Sequence, residues 1–414
     1  MSNSDYEIMI PPTKTKRIKF SESVNEDRLT DLPESIILHI LSFLNTKQAV
    51  QTCVLSTKWK DPWKRLPNLI LNSGDYRNYK KFTKFVSKVL SLRDSSIALQ
   101  ALDFKRLKGC SQLNILKRAV NYAISHNVQR LEVKHCVEYG IAQILSAVFS
   151  CQTLTHLKLS IWDHRTLTLF PRSLSLPALT NLQLEYFKFC VGDNDRIEPF
   201  STFNRLNSLC ISNCNVSDQQ PLCISSATLV NLTLHDSMKN VYKIDLCTPC
   251  LCTFVFTGTP VQKISGFHVS SLKHVDIDAD IGDLGWIVGI GDFLYSWFLE
   301  FGNIKSLTVS AATLQVLHLV HNLLEMKFPS LGNLKSLRVI MKPLALAYGI
   351  HKKPCQVRLQ KVKSQKEAAR LRKASEKELE PSPLVPDGIV NFLLQNSPSA
   401  EVAYIDYETR KATS

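Results

Sequence analysis

Three cysteines have the spacing of a metal-binding cluster. Cys247, Cys250 and Cys252 lie within the run LCTPCLCTF. A structural zinc ion needs four ligands, which usually come as two matched pairs of Cys or His. No second pair follows nearby, and Cys252 falls inside a predicted strand. We therefore expect small buried side chains here, with no metal and no cofactor.

The sequence offers catalysis no starting point. It contains no Gly-rich loop to hold a phosphate, no helix with paired metal ligands and no nucleophile elbow. Its Ser, His and Asp residues are scattered without forming a recognisable triad. These observations favour a non-catalytic protein whose function is binding.

The positive charge of the 414-residue chain is concentrated in two short blocks. The formal net charge is +14, and residues 73–127 carry 11 Lys and Arg against 3 Asp and Glu. Residues 351–380 carry 10 against 4, whereas residues 128–350 are balanced at 17 against 17. The large neutral block disfavours nucleic acid as the partner. A nuclear scaffold that binds nucleic acid through its basic blocks stays open as an alternative.

Targeting signals are weak. Residues 1–24 contain no apolar core of a secretion signal, so we expect free cysteines in a reducing compartment. The apolar run at 284–299 is short and contains Asp292, which disfavours a membrane span. A basic run at 14–19 has the composition of a nuclear-import signal. We expect the protein in the nucleus, the cytoplasm or both.

One apolar motif recurs along most of the chain. Its form is L-x-x-L-x-L, in which Ile, Val or Phe can replace Leu, and successive copies are 21 to 32 residues apart. The copies begin at Leu99, Val128, Leu154, Leu179, Leu206, Leu229, Leu251, Leu272, Ile304 and Leu334. This period is typical of leucine-rich repeats, in which each copy adds one strand to a parallel sheet.

The segments between the predicted strands differ in length. Residues 113–124 and 141–148 have helical apolar spacing, whereas the central copies leave room only for extended or 3₁₀ connections. A motif-like run at Leu314 begins only ten residues after Ile304, so we interpret 313–326 as a helix. Cys136 and Cys214 occupy a turn position where a side chain can bond neighbouring backbone.

The polar positions of the strands are the expected binding residues. Alternation along a strand turns them to one face of the sheet, away from the buried apolar positions. Their mixed charge disfavours a phosphate backbone as ligand. We expect a protein partner to contact Arg130, Glu132, His156, Lys158, Gln183, Thr233, His274, Asp276 and Arg338.

Residues 27–69 predict a small helical unit. Asp31, with Glu34 three residues later, resembles a capping box at the start of a first helix. Asn45 ends that helix and caps a second, and a third begins near residue 56 and carries Trp59 and Trp63. Three helices in so few residues bury little apolar surface alone, so we expect this unit to bind a partner.

This unit resembles an F-box. It has the Leu-Pro dipeptide at residues 32–33, an Ile-Leu-Ser-x-Leu core at 40–44 and a Val-Leu-Ser…Lys-Trp segment at 54–59. With the repeats and the carboxy-terminal run PDGIVNFLLQNSPSAEV, the chain is similar to plant F-box/leucine-rich-repeat (RNI-like) proteins with an FBD-like carboxy-terminal region. The resemblance covers residues 25–400.

The resemblance implies both a fold and a function. The fold is an α/β solenoid, in which a three-helix F-box precedes a curved horseshoe with a parallel sheet on its concave face. The F-box would bind a Skp-type adaptor and through it a cullin–RING ubiquitin ligase, while the repeats bind the protein to be ubiquitinated. An F-box protein that delivers no target is a further alternative.

The resemblance also implies site residues and domain boundaries. The residues facing the adaptor would be Leu32, Pro33, Ile37, Ile40, Leu41, Val54, Leu55 and Trp59. Some apolar residues of so small a unit must pack on the first repeat instead, and we expect Trp63 and Leu66 to do so. The expected segments are a disordered basic terminus (1–24), the F-box (25–72), the solenoid (73–345), a basic helical segment that is either a solvated helix or a functional patch (346–385), and an FBD-like cap (386–414).

Overall fold

The computed structural model describes residues 32–106, 113–137, 140–163, 167–171, 174–190, 197–217, 220–236, 242–267, 271–280, 289–328, 331–341 and 385–406. The chain divides into two compact units. The first comprises Met1–Thr168 and Ser173–Leu182, and the second comprises Leu169–Arg172 and Gln183–Ser414. The predictions for 1–24 and the basic helix lie outside the described residues, and the proposed domain boundaries stay predictions.

The first unit begins with short helices. Helices α1 (Glu34–Ser42) and α2 (Thr46–Gln51) precede 3₁₀ turns at Thr52–Val54, Thr57–Trp59 and Pro62–Arg65. The Asn45 side chain accepts a hydrogen bond from the Gln48 backbone N–H, and the Asn45 N–H donates to the Gln48 side chain. This reciprocal pair is the capping box, so the cap predicted for the second helix is confirmed.

Two details of this helical segment differ from the prediction. The residue that precedes α1 is Pro33, which makes no side-chain cap, and Asp31 lies outside the described residues. The predicted third helix is instead a pair of 3₁₀ turns. Pro62 begins the second of these turns, and a proline lacks the N–H that a continuous helix would need there.

Parallel strands and helices alternate in the rest of the first unit. Strands β1 (Asn68–Asn72), β2 (Ala101–Arg106), β3 (Arg130–Val137) and β4 (His156–Asp163) pair in chain order. The intervening helices are α3 (Tyr79–Leu92), α4 (Asn114–Ser125) and α5 (Ala142–Val148). Each buries an apolar stripe, as the 3.6-residue spacing predicted for α4 and α5.

Arg93 joins the helical segment to the first repeat. Its side chain is buried, and its guanidinium donates to the carbonyl oxygens of Leu66, Ile97 and Ala98 at 2.8–3.1 Å. Trp63 and Leu66 are buried beside this junction, as expected from the sequence. A buried cation needs such partners, because an unpaired charge in the interior is costly.

Strands β5 (Thr168–Leu169) and β6 (Asn181–Glu185) contain residues of both units. The strands of the second unit are β7 (Phe187–Phe189), β8 (Ser208–Ser212), β9 (Asn215–Val216), β10 (Leu222–Ser225), β11 (Asn231–Asp236), β12 (Lys243–Cys247), β13 (Thr253–Gly258), β14 (Lys263–Ser265), β15 (His274–Ala279), β16 (Ser306–Ser310), β17 (Ser336–Met341) and β18 (Glu401–Asp406).

The strands of the second unit form a parallel main sheet with smaller sheets in the connections. The main sheet runs β8–β11–β13–β15–β16–β17–β18. Strands β10, β12 and β14 pair with one another, as do β7 and β9. The central repeats therefore use extended connections, as their short spacing predicted.

Helices return in the last repeats. They are α6 (Ile290–Glu300), α7 (Ala311–His318) and α8 (Ile389–Leu393). The apolar run around α6 is explained by burial, since Leu294, Trp297 and Phe298 are inaccessible to solvent. Helix α7 confirms that the motif-like run at Leu314 is not a strand.

All ten copies of the apolar motif form a parallel strand, so the predicted α/β solenoid is confirmed. Its core is the set of Leu, Ile, Val and Phe side chains at the alternating motif positions. Cys214 bonds neighbouring backbone as its turn position suggested, since its buried Sγ accepts the Phe187 N–H at 3.4 Å.

Candidate functional site

Four large apolar side chains of the amino-terminal helical segment are exposed to solvent. They are Ile36, Phe43, Val54 and Leu55, and we call this set the apolar patch. Phe43 is 76% exposed and Val54 is 69% exposed. Several large apolar side chains at such exposure in one short segment are typical of a protein-binding region.

Local geometry explains why these side chains point outward. Helix α1 turns Ile37 and Leu41 inward, whereas Ile36, about 100° around the helix from Ile37, stays exposed. Phe43 follows the last residue of α1, and its ring packs edge-on against His39 at 5.0 Å. Val54 ends the 3₁₀ turn after α2, and Leu55 follows it. Three of the four residues, Phe43, Val54 and Leu55, therefore lie at the end of a short helix or just beyond it.

The polar face of the sheet in the first unit carries a chain of ion pairs. Lys105 Nζ lies 2.8 Å from Asp103 and 3.6 Å from Glu132, and Glu132 lies 3.4 Å from Lys158. Burial raises the pKa of Asp103, and the hydrogen bond from Lys105 opposes that shift. The same bond raises the pKa of Lys105. Much of the charge on this face is therefore compensated.

Register places the other polar candidates on shared rows. In the first unit Arg130 lies opposite His156, and both are exposed. In the second unit one row contains Thr233, Asp276 and Arg338, with one intervening strand between successive members. His274 lies two residues before Asp276 on β15, and Gln183 lies on β6. Each candidate keeps its side chain at least partly accessible.

A small cavity lies between the end of α1 and the first strands. Its volume is about 200 Å³, and its lining includes Leu41, Leu44, Ile70, Asp103 and Arg130. Pockets that enclose drug-sized ligands usually span roughly 300–1,000 Å³. This cavity is below that range, so the open surfaces are the better candidates.

Two protein-family models match the chain. The F-box domain matches residues 29–71, and the model described as FBD-associated F-box protein At5g56370, LRR repeats, matches residues 116–275. The first match contains the whole apolar patch, and the second contains strands β3 to β14. The chain thus matches an F-box model in its amino-terminal helical segment and a leucine-rich-repeat model along its repeats.

Similar proteins from Arabidopsis thaliana are described as FBD-associated F-box proteins or F-box/FBD/LRR-repeat proteins. FBD-associated F-box protein At5g22720 is 29% identical over 233 residues, which cover 55% of this chain and 48% of that protein. F-box/FBD/LRR-repeat protein At1g66300 is 26% identical over 329 residues, covering 74% and 70%. F-box/FBD/LRR-repeat protein At4g13965 is 32% identical over 216 residues, covering 52% and 49%. The aligned region thus spans about half the length of two of these relatives.

The F-box residues expected at an adaptor surface fall into two groups. Leu32, Pro33, Ile40, Val54 and Leu55 are at least partly accessible, and their role stays a prediction. Ile37, Leu41 and Trp59 are buried, so the structure does not place them on a surface. Helical spacing alone cannot separate an inward apolar side from an outward one when both are apolar.

Three exposed side chains were missed by the sequence reasoning. Phe43 and Ile36 belong to the apolar patch, and Phe43 escaped notice because it lies beyond the apolar spacing of α1. Trp162 is 47% exposed on β4 and shares its face with His156 and Lys158. Continuing the strand alternation by two residues beyond Ser160 would have identified it.

The cysteine cluster differs from the expectation in one respect. Cys247 and Cys250 are exposed, so the prediction that these side chains are buried is wrong for both. They lie at the end of β12 and in the turn that follows, where the apolar alternation stops. Within the described ranges, no group of His, Cys, Asp and Glu is arranged to hold a metal ion.

None of the helices that the structure describes has both the length and the apolar character required to cross a lipid bilayer.

Proposed function

We propose that this F-box protein is the substrate-recognition subunit of an SCF-type cullin–RING ubiquitin ligase. Its F-box binds the Skp-type adaptor, and its repeats bind the protein to be ubiquitinated. The observation that carries the proposal is the apolar patch, which exposes Ile36, Phe43, Val54 and Leu55 within the segment that matches the F-box model.

Burial of the apolar patch supplies the driving force for adaptor binding. Removing apolar surface from water stabilises a complex by about 25 cal/mol per Å². An aromatic side chain at the centre of an interface often contributes far more than its neighbours. Phe43, the most exposed of the four, is therefore the expected anchor.

The polar sheet face supports the target-binding half of the proposal. Side chains on parallel strands are held at fixed spacing, about 4.8 Å from one strand to the next, so the rows form a pre-organised surface. Arg130, His156 and Trp162 are exposed beside the compensated ion pairs of β2 to β4. Aromatic residues and Arg are enriched at protein interfaces relative to the rest of the surface.

The proposed mechanism is tethering and involves no covalent step on this chain. Binding the adaptor and the target at once raises the effective concentration of target lysines near the charged conjugating enzyme. The proposal places the protein in the nucleus, the cytoplasm or both. Imaging of a fluorescent fusion tests that placement.

The test of adaptor binding is the double variant Phe43→Asp/Val54→Asp. A buried carboxylate without a partner is strongly unfavourable. We expect at least about 30-fold weaker binding of a purified Skp-type adaptor, since losing a hot spot costs about 2 kcal/mol or more. Isothermal titration calorimetry measures the change.

The matched control is Leu169→Asp/Leu319→Asp. These leucines are 61% and 60% exposed, so the control makes the same kind of change at similar exposure outside the F-box. It should bind the adaptor as the wild type does. Wild-type affinity in the Phe43→Asp/Val54→Asp variant would reject the apolar patch as the adaptor surface.

A further inference from the structure

Helices α3 and α4 form a basic surface that the proposed function does not use. Their 26 residues include six cations and no Asp or Glu. The cations are Lys80, Lys81, Lys84, Lys88, Lys117 and Arg118. All are exposed except Lys88, which is partly accessible. The basic block at 73–127 thus has most of its charge on one pair of neighbouring helices.

The three carboxylates of that block are engaged elsewhere. Asp75 Oδ2 lies 3.4 Å from Asn45 Nδ2, near the F-box. Asp94 accepts hydrogen bonds from the backbone N–H and the hydroxyl of Ser96. Asp103 pairs with Lys105 on the sheet. None of the three belongs to α3 or α4, so the two helices contribute no negative charge of their own.

Three of the six cations, Lys84, Lys88 and Arg118, line a groove between the two helices. The groove has a volume of about 480 Å³ and is bordered by Thr83, Lys84, Ser87, Lys88, Ser91 and Arg118. Lys84 and Lys88 lie one helical turn apart, about 6 Å along the same side of α3. Arg118 belongs to α4 on the opposite wall. Short hydroxyl side chains on α3 leave the space between the walls open.

We propose that this groove, the basic groove, binds an Asp- and Glu-rich segment of a partner protein. The complementarity of charge identifies the occupant, because an acidic segment supplies the anions that the helices lack. Single lysine charges one turn apart match carboxylates at i and i+4 of a helical peptide. A phosphopeptide site is typically an arginine cluster, whereas the basic groove contains one arginine.

Aromatic packing on the same helices disfavours nucleic acid as the occupant. Proteins that bind single strands stack bases on accessible rings. Phe82 and Phe85 are buried, and the Arg106 guanidinium lies 3.7 Å from the centre of the Tyr79 ring. Tyr122 stacks on His126 at 3.9 Å. Every aromatic ring that the structure describes on α3 and α4 is therefore buried or already stacked.

The test measures binding of three labelled probes to the full chain by fluorescence anisotropy. The probes are a Glu-rich peptide, the same peptide with Gln in place of Glu, and single-stranded DNA. We expect the Glu peptide to bind most tightly of the three probes, and we expect its affinity to fall with added salt. The variant Lys84→Glu/Arg118→Glu should bind it at least about tenfold more weakly, because two attractive charges become repulsive.

The control variant is Lys305→Glu/Lys335→Glu, which changes the net charge equally at two exposed lysines of the second unit. It should change the affinity by less than about twofold. The neutral variant Lys84→Gln/Arg118→Gln should give an intermediate loss if the reversal variant does not fold. Adaptor binding should be unchanged in all of these variants, which separates this proposal from the function of the F-box.

Three results would overturn the proposal. Equal binding of the Glu and Gln peptides would show that charge is not recognised. An equal loss in the control variant would show that the net charge of the chain, and not the groove, attracts the peptide. Tighter binding of DNA that depends on Lys84 and Arg118 would make the groove a nucleic-acid surface.

Discussion

At the scale of single residues, His135 couples the stability of the first unit to pH. The ring is buried, stacks on Phe104 at 6.1 Å and lies near the cation of Arg106. Burial is the main cause that lowers the pKa of His135 from 6.5 to about 4, and the positive charge of Arg106 adds to it. The unfolded chain therefore binds a proton between these values that the folded chain excludes.

We expect the free energy of unfolding to fall as the pH decreases from 6.5 to 4. Above pH 6.5 the ring is neutral in both the folded and the unfolded chain, so His135 causes no loss of stability there. Between pH 6.5 and 4 the free energy of unfolding falls by a total of about 3 kcal/mol, at 1.36 kcal/mol per pKa unit. Urea unfolding across this range measures it. His135→Phe should remove most of the pH-dependent loss, and His274→Phe, at an exposed position, should not. An unchanged pH profile in His135→Phe would contradict the assignment.

Gly266 illustrates a backbone requirement in the second unit. Its φ is +99°, and a Cβ at this position would overlap the carbonyl oxygen of Leu246. The backbone N–H groups of Gly266 and Phe267 both donate to Glu300 Oε2 at 3.0 Å. The end of α6 thus holds the turn after β14 in place.

We expect Gly266→Ala to destabilise the second unit by about 2 kcal/mol or more, since strain at positive φ adds to the steric overlap. The control is Gly302→Ala, where no atom lies within 4 Å of the added Cβ. Thermal unfolding measures both variants. Equal midpoints for the two would show that the turn at Gly266 adapts without cost.

At the scale of elements, the carboxy-terminal segment closes the last repeat. Phe392 of α8 packs against Phe328 at 4.9 Å. The Ser397 hydroxyl donates to the Leu331 carbonyl at 2.6 Å, and the Asn396 side chain bonds the Phe328 carbonyl. These contacts deliver the chain to β18, which pairs with β17.

Phe392→Ala should loosen this closure, because deleting a buried Phe side chain costs about 3–5 kcal/mol. Hydrogen exchange should accelerate at the amides of β18, while the amides of β8 and β11 stay protected. The control Leu319→Ala changes a side chain that is 60% exposed and should leave β18 unaffected. Unchanged exchange at β18 in Phe392→Ala would show that α8 does not hold the strand.

The motif predicted the strands well where its apolar positions were complete. Leu66, Leu69 and Leu71, just before and within β1, also fit the motif, but they fall within the segment assigned to the F-box, residues 25–72. In β18 the corresponding positions are Ser399, Val402 and Tyr404, so the pattern is broken. Strand β1 was therefore not predicted because of its place next to the helical segment, and β18 was not predicted because polar residues replace part of its motif.

At the scale of the whole chain, the apolar pattern of the sequence predicted the fold better than it predicted the binding surfaces. Apolar alternation identifies which strand residues are buried, and hence the face where Lys158 and Arg338 lie. It does not say which apolar residues of the F-box are left over after packing. The answer depends on where α1 ends and on how the 3₁₀ turns pack against it. The structure shows the result: Trp59 is buried and Phe43 is exposed.

In the proposed function, the F-box binds the adaptor and the polar sheet faces bind the target, so a substitution can remove one activity without the other. Two variants test this separation in a crossed design. Phe43→Asp/Val54→Asp alters the apolar patch, and Lys158→Glu/Arg338→Glu alters the polar sheet face of each unit. All of these side chains are at least partly accessible, so both variants should fold.

The most direct measurement is affinity purification of the wild type and both variants with the proteasome inhibited, quantified by mass spectrometry. The F-box variant should lose at least about 90% of the adaptor and keep the proteins that accumulate on the wild type under inhibition. The sheet variant should show the reverse. Full adaptor recovery with the F-box variant, or joint loss of adaptor and targets with either variant, would contradict the account.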